Sequence, residues 1–168
     1  MAQSLLGDKE DQVVSSDRFK SHDWLPAYWR QICWSHLRRD FQAMIDRGGA
    51  GEAIGRRLLG LSDRLFELWH RVRDGTLEEN VFREQILRLR PRVRRALQDG
   101  SRRACTLMAG TCTEILRVEE GLWNFVWFPG VEPTNNAAER ALRHAVIWRR
   151  ISGGKPLGKA TRSPRSCR

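Results

Sequence analysis

The stretch AGEAIGRRLLGLSDRLFELWHRVRDG, residues 50–75, followed by EENVFREQILRLRPRVRRALQD, residues 78–99, decides the fold. In the first run Ile54, Leu58, Leu61, Leu65, Leu68, Trp69 and Val72 recur at helical spacing on one broad face. Arg56, Arg57, Arg64 and Arg71 fall elsewhere, and Asp74-Gly75 supplies a stop. The second run carries Val81, Phe82, Ile86, Leu89, Val93 and Leu97 in the same way. Pro91 lacks an amide hydrogen and is expected to kink or split it. The two runs read as a helical hairpin with an apolar seam, which is core material rather than a cofactor box.

Outward from the hairpin the helical pattern continues. Residues 102–118 form a further helix with Ala104, Leu107, Met108, Ile115 and Leu116. Gly121-Leu-Trp-Asn-Phe-Val-Trp-Phe128 then reads as an apolar strand or turn packed in a core, although its aromatics also have the chemistry to stack on bases. On the upstream side, QVVSS at residues 12–16 reads as a buried strand end. Pro26 blocks an early helix, and Gln31 to Trp34 is expected to form a second short strand. Ser35 is expected to cap a helix carrying Leu37, Phe41, Met44 and Ile45, which Gly48-Gly49 ends.

Composition narrows the class. The chain has 168 residues, 40% of them hydrophobic, enough for one globular domain. Thirty Lys and Arg oppose twenty Asp and Glu, for a net charge of +10. The guanidinium fork matches phosphate, so this excess points first to nucleic acid, with a solvated basic surface as the plain alternative. Five arginines crowd the eight residues Arg88 to Arg95, and of these Arg92, Arg94 and Arg95 are candidates for tracking a phosphate backbone. The N-terminus lacks a signal-peptide pattern, and the longest charge-free apolar run is far too short for a bilayer, so no membrane partner is expected. Cys33, Cys105, Cys112 and Cys167 form no CxxC pair, which suggests reduced thiols in a cytoplasmic protein. Cys33-x-x-His36 has the spacing of half a zinc site, but no second close pair completes it, and a buried thiol with a hydrogen-bonded histidine is the expected outcome.

Two acids have distinctive settings. Asp17 lies just past the carboxyl end of the first strand, where open α/β sheets place site residues, although a turn residue or helix cap has the same appearance. Glu139 lies near the start of a helix-like run and is surrounded by Arg140, Arg143, Arg149 and Arg150. Asn136-x-x-Glu139 also fits a capping box. Carboxylates on separate elements, flanked by fixed cations, suit phosphodiester chemistry at bound Mg²⁺.

PGVEPTNNAAERALRHAVIWRRISGG, residues 129–154, closely resembles the segment around the last catalytic glutamate of DDE transposases of the insertion-sequence sixty-six family. Val13-Val-Ser-Ser-Asp17-Arg-Phe is similar to that family's segment around its second catalytic aspartate. Ile32-Cys-Trp-Ser-His-Leu-Arg-Arg-Asp-Phe41 and Leu68-Trp-His-Arg-Val-Arg-Asp-Gly75 are similar as well, so four motifs occur in the family's order. The resemblance implies that Asp17 and Glu139 are the second and third members of a DDE triad, holding Mg²⁺. It further implies that Asn135, Asn136, Arg140 and Arg143 orient Glu139 or touch DNA phosphate, and that Cys33 and His36 are structural. In the intact family the implied chemistry is hydrolysis at transposon ends, followed by attack of the freed 3′-OH on target DNA.

The expected fold is therefore α+β leaning mostly α, an incomplete RNase H-like catalytic core with a large helical insertion. Residues 1–47 would hold part of the core and the second acidic motif, 48–120 the insertion, 121–154 the third acidic motif with its helix, and 155–168 a basic disordered tail. Asp8 and Asp11 do not match the family's first aspartate motif, and Lys155 to Arg168 departs from the family pattern. The expectation is a transposase fragment that does not cut DNA alone. The alternative is a non-catalytic DNA-binding protein that regulates a full-length transposase or pairs with itself.

Overall fold

The computed structural model describes residues 13–16, 26–102 and 106–135. All of them belong to one compact unit, Met1–Asn135; a second unit, Asn136–Arg168, which includes the tail expected at residues 155–168, lies outside the described residues. The described chain is mostly helical. Two strands, β1 (Val14–Ser16) and β2 (Arg30–Ile32), pair in parallel, and a 3-10 turn at Ala27–Trp29 leads into β2. Four helices follow, α1 (Trp34–Asp46), α2 (Ala50–Arg73), α3 (Glu79–Ser101) and α4 (Thr106–Arg117). A 3-10 turn, Glu119–Leu122, and a single helical turn, α5 (Asn124–Trp127), bring the chain back to β2.

Each long helix packs on its chain neighbour because the connections are short and the apolar faces must be removed from water together. The hairpin seam read from the sequence is the core: Ile54, Leu58, Leu65 and Leu68 of α2 meet Phe82, Ile86, Leu89, Val93 and Leu97 of α3, all buried. Each such side chain stabilises the fold by about 1.5–3 kcal/mol relative to exposure. Glycine sets the α1–α2 spacing. A Cβ on Gly55 would come 2.7 Å from the Phe41 carbonyl oxygen, so the two backbones touch where a side chain would stand.

Three local expectations are corrected and a fourth is narrowed. The second strand is shifted upstream: β2 spans Arg30–Ile32, sharing Gln31 and Ile32 with the expected stretch, and Trp34 already belongs to α1. Cys33 rather than Ser35 is the N-cap, in extended conformation and without a side-chain cap bond. Tertiary contacts set this start, since the Trp34 amide donates to the Pro133 carbonyl at 2.9 Å and its indole N–H to the Leu122 carbonyl at 2.9 Å. Pro91 does not split α3. It and Leu87, whose carbonyl loses its helical donor, are exposed, so water can take that carbonyl while the buried seam holds the helix together. Finally, residues 121–128, expected as a strand or turn packed in a core, are turns, with Leu122, Trp123, Phe125 and Val126 buried.

Candidate functional site

The parallel register pairs Val14 with Arg30 and Ser16 with Ile32, so both strands run out at the same end of the sheet. Carboxyl ends of adjacent parallel strands are where α/β sheets open their binding crevices. At that end β1 stops one residue before Asp17, and β2 passes into Cys33. The later chain is tied to the same place: the Asn135 amide donates to the Cys33 sulfur at 3.4 Å, and the Pro133 carbonyl accepts from the Trp34 amide. Gly130, at φ 81°, makes the turn that sends residues 131–135 back to β2. Ser16, beside Ile32 in the register, and Asn135, on the Cys33 sulfur, are therefore both placed at the carboxyl end of β2.

Buried polar side chains hold the sheet along its length. Gln31 is fully buried; its side-chain amide donates to the Ile32 and Leu122 carbonyls at 2.8 and 3.3 Å, and its oxygen accepts the Phe125 amide at 2.8 Å. Asn124 donates to the Tyr28 and Arg30 carbonyls at 3.0 and 2.8 Å. Trp34 and Trp123 meet edge to face with centroids 5.3 Å apart. Beneath them Glu119, only 6% exposed, accepts two bonds from Arg90, at 2.9 and 3.0 Å, and one from the Trp123 indole at 2.8 Å. Burial alone pushes the Glu119 carboxyl up, but the bonds from Arg90 and Trp123 and the positive charges of Arg90 and Arg94 outweigh it and hold the group below its ordinary range. The Arg90 guanidinium is correspondingly raised, first by its bond to Glu119. None of these roles was legible from the sequence. The only available signals were polar residues interrupting apolar runs: Gln31 before Ile32, and Glu119 before the aromatic segment.

The arginine run divides by face. Arg90 is turned inward to Glu119, Arg94 contributes charge to the same carboxylate, and Arg88, Arg92 and Arg95 project from the opposite, outer face of α3. Arg92, Arg94 and Arg95 are all exposed. Cys33 is completely buried as a free thiol, while half-buried His36 occupies the first turn of α1, its backbone amide donating to the Cys33 carbonyl at 3.2 Å. Cys112 is likewise a buried free thiol. Asp17, Asn136, Glu139, Arg140, Arg143, Arg149 and Arg150 lie outside the described residues, as do Cys105 and Cys167. Among the described residues there is no group of three His, Cys, Asp or Glu side chains that could hold a metal, and no helix is long and apolar enough to cross a membrane.

A model of the family described as Transposase IS66 matches residues 1–156. Comparison with curated proteins and with solved structures finds no match.

Proposed function

The chain belongs to the IS66 transposase family, and from that membership we propose that it takes part in DNA transposition through two carboxylates of a DDE site, Asp17 and Glu139. The observation that supports this reading best is that Ser16 lies beside Ile32 and Asn135 beside Cys33, both at the carboxyl end of β2. Ser16 is the residue before Asp17, and Asn135 stands four residues before Glu139, so the chain leading to each acid starts from the same edge. In this proposal residues 1–47 and 121–154 carry the acidic motifs of an RNase H-like core, residues 48–120 are a helical insertion between them, and residues 155–168 are a basic tail.

Carboxylate oxygens are the donors a hard divalent cation such as Mg²⁺ takes, so Asp17 and Glu139 fit that group by donor chemistry. When bound, the ion supplies positive charge that offsets charge developing on a phosphodiester. The protein's own residues do the positioning. The Asn135 amide, four residues before Glu139, donates to the Cys33 sulfur. Asn136, Arg140 and Arg143 orient Glu139 or bind phosphate, and Arg149 and Arg150 add further phosphate contacts. On α3, Arg92 and Arg95 face water and suit the backbone of DNA. That exposed face also favours a second reading, in which the chain binds DNA without cutting it and joins a full-length transposase or a second copy of itself.

Paramagnetic Mn²⁺ added to the purified chain tests the carboxylate assignment. The expected result is selective broadening of the Ser16, Cys33 and Asn135 amide resonances, lost in Asp17→Ala and in Glu139→Ala. Broadening that is absent, or that persists in both variants, refutes the assignment and leaves the non-cutting reading.

A further inference from the structure

The largest exposed aromatics of the described chain collect at the other end of β2. Tyr28 is 54% exposed, Trp127 47% and Phe128 36%. Trp29, half-buried, links two of them: its ring centroid lies 5.5 Å from Tyr28 and 6.2 Å from Phe128. Asn124 ties the two stretches together by donating to the Tyr28 carbonyl at 3.0 Å, a part-buried bond, and Trp29 meets Phe128 across them. Aromatic rings left in water at a clamped position are costly to keep there unless something stacks on them.

We infer that Tyr28, Trp29 and Phe128, with neighbouring Trp127, form a stacking platform for unpaired nucleobases of the DNA on which the chain acts. This rests on the DNA-directed function proposed above. Two observations favour bases over a protein partner. Exposed to this extent, these rings offer on the order of 300 Å² of apolar surface, well short of the roughly 800 Å² per partner that a stable protein interface needs. A second copy of this chain would also bring its own +10 charge, whereas a DNA strand brings the complementary sign. Both flanks of the platform lead directly to the carboxyl end of the strand pair, by residues 28–33 on one side and 128–135 on the other. The five residues from Tyr28 to Cys33 span at most about 17 Å when extended. At about 3.4 Å per stacked nucleotide, a platform there meets a base within about five nucleotides of a phosphate at that end. Stacking on the ring faces needs no particular base, so the platform reads strand separation rather than sequence.

The test compares binding of the full chain to a blunt DNA duplex and to the same duplex with a five-nucleotide single-stranded end, at fixed salt. The wild-type chain is expected to prefer the single-stranded end by roughly tenfold or more, as one or two stacked bases would give. Tyr28→Ala and Trp127→Ala should remove most of that preference while leaving blunt-duplex affinity unchanged, and Tyr28→Phe with Trp127→Phe should restore it. Because both side chains are about half exposed, the alanine variants should keep the far-ultraviolet circular dichroism of the parent. Equal affinity for the two DNAs in the wild type overturns the platform alone. Absence of binding to either DNA overturns it together with the DNA-directed function. Alanine variants that lower sedimentation mass instead of the strand preference assign the patch to a protein contact and overturn it as well.

Discussion

Replacing Arg90 by methionine should destabilise the protein more than replacing its partner Glu119 by glutamine, and the difference should depend on pH. Glu119 is almost fully buried and accepts three hydrogen bonds, whereas the Arg90 side chain is 34% exposed. Removing Arg90 strands a carboxylate with the Trp123 indole as its remaining close donor. Breaking a buried pair this way costs about 3–5 kcal/mol, and the partial exposure on the arginine side brings the expected value to about 2–3 kcal/mol. Glu119→Gln keeps the shape and an oxygen for the Trp123 bond, and Arg90 can turn to water, so about 1 kcal/mol is expected. Because the folded-state Glu119 pKa is lowered, its stabilisation is present above the pKa of an unfolded glutamate and lost as pH falls through the folded value. In Arg90→Met the burial effect is opposed by much less, the carboxyl moves up, and the penalty should shrink as pH falls and the group takes a proton. Urea unfolding of the three proteins at pH 7 and at mildly acid pH measures this. Equal losses for the two variants, or a loss for Arg90→Met that does not change with pH, would refute the assignment of the pair as a buried anchor.

Other substitutions follow from the same geometry. Gly55→Ala puts a Cβ against the Phe41 carbonyl oxygen and should cost about 1–2 kcal/mol, the overpacking of α1 on α2 exceeding the gain in helix propensity; an unchanged or raised melting temperature would contradict the close approach. Gln31→Leu should cost about 1–3 kcal/mol by leaving the Phe125 amide without its acceptor, and hydrogen exchange at Phe125 should accelerate; exchange as slow as in the parent would show another acceptor replacing it. Arg92→Ala combined with Arg95→Ala should lower DNA affinity alike for all sequences, with no loss of stability. The salt slope should fall by up to about 0.9 for each phosphate that is no longer neutralised, and an unchanged salt dependence would remove the outer face of α3 from the DNA interface.

How much of the site the sequence disclosed can be followed residue by residue. Ile54 to Val72 and Phe82 to Leu97 announced two helices and their seam because helical periodicity is a local property, repeated often enough to be unambiguous. The family wording around Asp17 and Glu139 was equally plain, since it is carried by residue order, and the family match over residues 1–156 bears out that resemblance. The start of α1 was misplaced at Ser35 because the cap signal there is overruled by Trp34, whose amide and indole are claimed by Pro133 and Leu122, about a hundred positions away. Pro91 was expected to kink or split its helix from local chemistry alone, and the buried seam on the opposite side kept the helix unsplit.

The arginine run shows the same division most directly. Sequence by itself determined that five arginines lie between residues 88 and 95 of a helix, and hence that a strong positive field exists there. Only the tertiary structure decided that Arg90 is spent on Glu119, that Arg94 helps to hold that carboxylate ionised, and that Arg92 and Arg95 remain on the outer face of α3. The physical reason is range. Helical periodicity is set by neighbours three and four positions apart, but the partner of a charge is set by whichever buried group the packing of α3 against residues 119–127 brings within hydrogen-bond reach.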